Sequence, residues 1–472
     1  HTEGRLETYE KLISLLIEEG ETELALSYIE KSNIEAIREN LAGLEIEFDD
    51  PEKTELIESG REMKAELAVL ERQISKQNEE SSAKRKTELI TALEERKAVL
   101  TQDYISFVDG TVNQYPELAQ HLSNTVNPGD FSKARRAIPK DTAVLAYLIG
   151  KETTFIFTAT SDSVNAFSIP ISSTTISSLV AEVHGAMKSP GSGIVRGADG
   201  KDGENSEAAD HREAVTQLYR VLISQVEEVI EGKQNLAIIP SGSLYKLPFQ
   251  ILSDSENGKS SLLMNHTVFY TSKLDIFGYP PLHDELSIVA FGDADNTLDW
   301  AEREVTEIAK IHPGTQVYVQ DDATESRVKN VSSDYNVLHL ATHGTLDYNN
   351  FQNSFFTLAS DAESDEDGQL NIEEIWKIQG LDNYRLVTLS ACESAISDDL
   401  SKGWPISPAN AFLRRVQTVV ASLWKVDDVA TSLLMQEFYT NLETMGTAES
   451  LRMAQLSLSN DESYSDPFYW AP

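Results

Sequence analysis

The sequence predicts an α/β protein whose main element is a mostly parallel sheet flanked by helices, preceded by a smaller β-containing part and an all-α N-terminal region. Three observations carry this. From residue 286 onward, short β-branched runs alternate with helical stretches, the pattern of a sheet covered on both faces. Residues 141–169 hold three strand-like runs (VLAYLIG, TTFIFTAT and VNAFSIP) separated by turn-type residues. Before residue 110 the apolar residues recur at helical spacing.

The first element is a helix pair within 4–40, with Tyr9, Leu12, Ile13, Leu16 and Ile17 on one stripe and Leu24, Leu26, Ile29, Ile34 and Ile37 on the next. Gly20 between them suits a helix C-terminus. The stretch YEKLISLLIEEGETELALSYIEKS resembles a tetratricopeptide unit. One unit cannot bury its own face, so residues 1–54 are expected to end an array of repeats or to dock on the rest of the chain. Residues 55–140 follow as a long helical hairpin and linker, with Leu67, Leu70, Ile74, Ile90, Leu93, Leu100 and Tyr104 as the apolar stripes. The three strand-like runs open a region spanning 141–280. Residues 188–210 are rich in Gly, Ser and acids without periodicity, which reads as a mobile loop, and a helix over about 211–231 leads into the strand of NLAIIP. In 281–472 the expected order is LSIVAF, a helix near 298–311, QVYV, a helix near 323–331, VLHLA, a segment at 372–378, LVTLS, a helix near 408–416, VVASLW and a helix near 428–443.

Composition narrows the function classes. A chain of 472 residues, 40% hydrophobic and 25% charged, is globular and long enough for two to four domains. Its formal charge of -38 opposes the phosphates of nucleic acid and the anionic face of a membrane, so neither is an expected partner. One cysteine forms no intramolecular disulfide. With no signal-peptide pattern and no apolar run long enough to span a bilayer, a reducing cytoplasm is the expected compartment. The chain begins at His1 without an initiator Met, as expected for a fragment or processed form. No phosphate-binding or dinucleotide fingerprint is present, and one Cys with no carboxylate at ligand spacing argues against zinc, so no cofactor is expected.

In a parallel sheet the chemistry sits beyond the carboxyl ends of the strands. VLHLATHG ends in His343 and Gly344, and LVTLSACES carries Cys392, both just past a predicted buried strand. If those strands are neighbours, the imidazole can favour the thiolate and later protonate a leaving amine, which suffices for acyl transfer. The main-chain N–H groups of Gly344 and Cys392 are then the natural oxyanion donors. A lone buried Cys or His is more often packing, but here both fall at strand ends about 50 residues apart. His339, inside its strand, is read as structural.

At these residues the sequence resembles the CHAT proteases of the caspase and separase superfamily. The motifs NLAIIPSGSLYKLPFQIL, VLHLATHG, DGQLNIEEI, LVTLSACES, VVASLWKVDD and DPFYWAP follow in order, and the resemblance covers about 141–472. It implies a caspase-like fold in which 281–472 is the catalytic subdomain and 141–280 a degenerate companion, with tetratricopeptide-like helices as the usual N-terminal addition. It implies a cysteine endopeptidase acting on protein substrates, with His343 as general base and acid and Cys392 as nucleophile. Separases use an aspartate at the position matching Asp428 to bind a basic P1 side chain. That role extends to Asp428 and its neighbour Asp427, although an acid here also suits a helix start. Relatives act in bacterial defence and are switched on by partner proteins. The sequence departs from the caspase pentapeptide by reading SACES, and SAISDDLSKGWPISP stands where many relatives have a Gly-rich turn. The alternative is a catalytically silent CHAT-like scaffold that binds partners through its helical region.

ESDEDGQLNIEE matches EF-hand spacing in part, with Asp365, Asp367, Gly368, Leu370 and Glu374 at ligand, turn, core and terminal positions. Glu363 stands where the motif requires Asp, and the segment reads as a solvated acidic loop.

Overall fold

The computed structural model describes residues 2–30, 51–79, 87–115, 118, 122, 128–187, 206–255, 260–278, 285–331, 334–347, 353–361, 364–378, 380–391, 407–413 and 415–472. They fall into two compact units, one of 1–44 with 126–472 and one of 45–125. None of the described helices is long and apolar enough to cross a membrane.

The 45–125 unit is built on helices Pro51–Glu79 and Thr87–Gln114. Leu67, Leu70, Leu100 and Tyr104 bury one seam, and Ile57, Leu118 and Leu122 a second. The Tyr104 hydroxyl donates to the Leu122 carbonyl. A Cβ at Gly60 would lie 2.5 Å from the Leu122 side-chain end, so that side chain approaches the first helix closely there.

In the larger unit, helix Thr2–Glu18 is followed by a second helical stretch at 22–30. The turn uses Gly20 at φ 79°, and Glu21 N–H donates to the Leu16 carbonyl at 2.8 Å, a glycine-dependent helix terminus. The predicted Ile34 and Ile37 lie outside the described residues. Ile13, Ala25, Leu26 and Ile29 of this pair pack with Val144, Ala146, Leu148, Phe155 and Phe157, so the pair is docked on a sheet. Buried Glu30 accepts the Leu274 N–H at 2.6 Å and fixes the dock at its far end.

That first sheet has the order β3-β2-β1-β4-β5, made of β1 (Thr142–Ile149), β2 (Thr154–Ala159), β3 (Val164–Ile169), β4 (Asn235–Ile239) and β5 (Thr267–Tyr270). β1 runs antiparallel to β2 and parallel to β4. All eight β1 positions are buried because alternate residues face different cores.

The second sheet is wholly parallel, with the order β13-β12-β8-β6-β7: β6 (Ile288–Gly292), β7 (Gln316–Val319), β8 (Val337–Ala341), β12 (Leu386–Ser390) and β13 (Thr418–Ala421). Its near-continuous apolar strands are those of a sheet covered on both faces. On one face Ile288, Val337 and Leu386 meet Ile308, Leu434, Met435 and Phe438 from helices Asp299–Ile311 and Asp428–Leu442. On the other, Phe291, Leu338, Leu340, Val387 and Leu389 meet Val328, Ile375, Trp376 and Phe412. From β6 the chain moves outward to β7, then returns past β6 to β8 and continues outward to β12 and β13. The order therefore reverses between β6 and β8, and the crevice beyond their carboxyl ends is the position where open α/β sheets carry their sites. The last turn, Pro467–Trp470, is tied down where both halves meet: Trp424 Nε1 donates to the Phe468 carbonyl at 3.1 Å and Gln250 Nε2 to the Ala471 carbonyl at 2.9 Å.

Several elements differ from the sequence reading. The expected mobile loop at 188–210 lies outside the described residues up to 205, but its last five residues open helix Ser206–Leu222, since SEAAD carries the Glu and Ala of a good helix start. Helices Ser173–Ala186 and Thr447–Ser459 have no counterpart in that reading. Nor has the small antiparallel sheet of β9 (Gly344–Thr345), β10 (Phe355–Thr357) and β11 (Gln369–Asn371), whose strands are too short for periodicity.

Candidate functional site

His343 follows β8 by two residues and sits beside the crevice at the strand-order reversal. In the β8–β12 register Ala341 faces Ser390. His343 and Cys392 each lie two residues further along the sequence from that pair. Cys392 itself is outside the described residues, as is Glu363. Gly344 opens β9, and the 2.9 Å bond from Thr357 N–H to the His343 carbonyl straddles the Gly344–Phe356 pair. Such a pair is the wide kind whose own amides point away from the partner strand, so the Gly344 N–H is left out of the ladder.

The imidazole is held from the β6 side. His343 Nε2 lies 2.8 Å from Thr297 Oγ1, and the Thr297 hydroxyl donates to Asp295 Oδ1 at 2.6 Å. Asp295 Oδ2 is 3.9 Å from the same ring nitrogen. These residues belong to the Asp293–Leu298 loop that leaves β6. Buried Asp293 organises it: its carboxylate accepts the Leu298 N–H at 2.7 Å, and its own N–H donates to the Ala341 carbonyl at 3.1 Å, stitching the loop to β8. Asp293 and Asn296 adopt φ of 49° and 59°, the left-handed region that Asp and Asn tolerate best among residues with a Cβ. The sequence reading missed Asp295 and Thr297. The only local signal was DADN, a turn composition directly after an apolar strand.

Beyond β13, on the far side of β12 from β8, Asp427 and Asp428 have different positions. Asp427 is the N-cap of helix Asp428–Leu442, accepting the Ala430 N–H at 2.9 Å, so its carboxylate is occupied by the helix end. Asp428 is the first helical residue. Partial burial and then the neighbouring Asp427 raise its carboxyl above the usual range, opposed by the charges of His343 and Lys425. His343 and Asp428 thus share one electrostatic field.

Below the site lies a closed polar network. His339 Nε2 is 2.8 Å from Glu304 Oε1, His339 Nδ1 is 3.1 Å from the Tyr439 hydroxyl, and that hydroxyl donates to Thr388 Oγ1 at 3.2 Å. All four side chains are buried. His339 therefore joins β8 to the helices that begin beside the Asp293–Leu298 loop and at Asp427, which gives it a structural task in holding the two edges of the crevice. Burial raises the Tyr439 phenol well above its usual range.

The partial EF-hand segment is organised differently from its spacing. Lys329 Nζ lies 2.7 Å from Glu325 Oε1 and 2.9 Å from Glu374 Oε1, and it also pairs with Glu366. Glu374 closes a capping box with Asn371, Asp367 accepts the Gln369 N–H, and Gly368, at φ 82°, donates to buried Glu325. Glu325, Glu366 and Glu374 present carboxylate oxygens within 4.8 Å of one another, close enough for a cation. The lysine ammonium already supplies one there.

Among comparisons with known proteins, a family profile described as "CHAT domain" matches residues 212–472. A comparison with curated proteins finds no match. Among solved structures, the chain is similar to one described as the crystal structure of the Saccharomyces cerevisiae separase–securin complex, at 10% identity and a TM-score of 0.45. The alignment covers 83% of this chain and 36% of that one, so this chain spans about a third of its length.

Proposed function

The chain belongs to the CHAT domain family, and on that premise we propose that it is a cysteine endopeptidase in which His343 and Cys392 cleave peptide bonds of a protein substrate. The observation that carries the reading is the register of β8 on β12. Ala341 faces Ser390, and the sequence carries an imidazole and the chain's one thiol at equal distances beyond that pair.

In this reading His343 takes the thiol proton, the thiolate attacks the scissile carbonyl, and the imidazolium protonates the leaving amine. Water then hydrolyses the thioester. The Gly344 amide, outside its ladder, is suited to stabilise the oxyanion together with the Cys392 amide. Asp428 is the group for a basic P1 side chain. The charge of His343 acts on its carboxyl, which supports this, while Asp427 serves the helix. Residues 281–472 form the catalytic subdomain, 141–280 its non-catalytic companion, and the helices of 1–54 and 55–140 receive an activating protein partner in the cytoplasm, in a setting such as bacterial defence.

The test is digestion of a proteome-derived peptide library by the wild-type chain and by Cys392→Ala, with products read by mass spectrometry. Cleavage after Arg or Lys that disappears in the variant supports the reading. Cleavage that persists in Cys392→Ala refutes the nucleophile. Silence of the wild-type chain, with and without partner proteins, favours the scaffold.

A further inference from the structure

We infer that Asp295 and Thr297 are positioning residues that keep the proton of neutral His343 on Nε2, so that Nδ1 is the nitrogen that exchanges protons with the nucleophile. The inference rests on the peptidase reading for its catalytic meaning, but the tautomer itself is a property of three described side chains.

The argument is one of donors and acceptors. An ionised carboxylate only accepts, so the short Asp295–Thr297 contact of 2.6 Å takes the hydroxyl proton toward Asp295 Oδ1. Thr297 Oγ1 is then left only lone pairs for its second contact, at 2.8 Å, and His343 Nε2 must be the donor there. A neutral imidazole carries one proton, so Nδ1 has the free lone pair, and among the described residues it makes no hydrogen bond. The second observation is the rigidity of the loop that supplies the pair. It is fixed to β8 through Asp293 N–H and the Ala341 carbonyl, closed on itself through Leu298 N–H and the Asp293 carboxylate, and held in two left-handed residues that carry a Cβ. Backbone of that kind persists where its surroundings over-determine it, and it concentrates at functional sites.

During the reaction the S–H bond of the thiol breaks as Nδ1–H forms, and the sulfur electron pair adds to the carbonyl carbon. Nδ1–H then passes its proton to the amine as the C–N bond breaks. Water adds to the thioester with its proton going to Nδ1, and that proton returns to sulfur as the thiolate leaves. The Nε2–H bond to Thr297 is unbroken throughout, and the Asp295 carboxylate faces the imidazolium at each charged stage. Among the described residues, the charge of His343 also acts on the Asp428 carboxyl, together with those of Asp427, Lys425 and Glu304.

The test is nitrogen-15 NMR of the histidine rings in the full chain, with the His343 signal assigned by its loss in His343→Asn. The wild-type chain is expected to show Nε2–H in the neutral ring. Asp295→Asn supplies an amide donor to Thr297 Oγ1, turns the hydroxyl proton toward Nε2 and is expected to move the ring to the Nδ1–H form. Thr297→Val is expected to release the ring to mixed tautomers, and Thr297→Ser to restore the wild-type signal. With a cleaved peptide in hand, Asp295→Asn should lower kcat by roughly 100-fold at unchanged KM. An Nδ1–H signal in the wild-type chain, or identical ring signals in all the variants, overturns the inference. If no peptide is cleaved, the ring signals alone decide it, while the peptidase reading fails separately.

Discussion

His339 Nε2 and Glu304 Oε1 stand 2.8 Å apart in a hydrogen-bond contact, with both side chains buried. Removing one member of such a pair strands the other in a low-dielectric interior, whereas removing both leaves only a packing defect. His339→Leu is expected to lower unfolding stability by about 3–5 kcal/mol, and the joint His339→Leu/Glu304→Leu change by less than the sum of the two single ones. Urea unfolding of the three variants measures the coupling. Strict additivity would show that the contact is incidental.

Gly292 ends β6 directly beneath the loop that holds His343. A Cβ there would stand 2.8 Å from the Ala301 carbonyl oxygen and 2.9 Å from Val305 Cγ2, both in the helix that follows the loop. Gly292→Ala should push this helix off the sheet at a cost of about 1–3 kcal/mol. The Asp293–Leu298 loop lies between the two moved elements, so the ring signal of His343 should shift as well. A lowered melting temperature with an unchanged ring signal would show that the loop is held by β8 alone.

The corner around Lys329 predicts a pH dependence. Hydrogen bonding to Lys329 draws the Glu366 carboxyl below its ordinary value of 4.5. In the range between that lowered value and 4.5 the unfolded chain binds more protons than the folded one. The contribution of Glu366 is therefore complete above pH 4.5 and is lost as the pH falls through the folded value. Glu366→Gln is expected to flatten the fall in stability on the acid side of that range, as read by melting temperature against pH. An equally steep fall in the variant would assign the acid sensitivity elsewhere.

Arg415 is buried, with Nε and Nη2 on the two oxygens of Asp382 at 3.0 and 2.7 Å and Nη1 donating to the carbonyls of Trp376 and Ile378. A lysine carries the charge but not the planar fork. Arg415→Lys should cost about 2–3 kcal/mol through unsatisfied buried carbonyls and a weakened pair. A change within experimental error in urea unfolding would contradict this account.

Much of the second sheet could be read from the sequence, because runs such as VLHLA and LVTLS are apolar throughout and the helices between them carry clear stripes. The site was legible only in part. His343 and Gly344 announce themselves by following such a run, and Asp427 by preceding a helix. Asp295 and Thr297 do not, since their task comes from β6 lying next to β8, a neighbour relation that local pattern does not encode. Glu304 reads as one more acid on an amphipathic helix, and only the placement of His339 opposite it removes both from water. Helix Ser173–Ala186 is obscured by its Ser and Thr content, whereas Thr447–Ser459, with Leu451, Ala454 and Leu458 on one stripe, was within reach of periodicity.

The strand order also sets the sequence of events when the chain folds. Phe155 faces Leu148 across a tight hairpin, so the β1–β2 ribbon needs only local contacts. Ile288 faces Val337, and Val337 faces Leu386, each pairing closing a loop of about fifty residues. Entropy must be lost over those spans, and over the longer one of about ninety residues that sets Thr142 opposite Asn235, before the pairings are rewarded, which makes the parallel pairings of both sheets the slow part of folding. The ring of His343 finds Thr297 only after β6 has come to lie beside β8. A chain that has made all its helices and its hairpin still has a bare imidazole, and the histidine environment is a late marker of a finished fold.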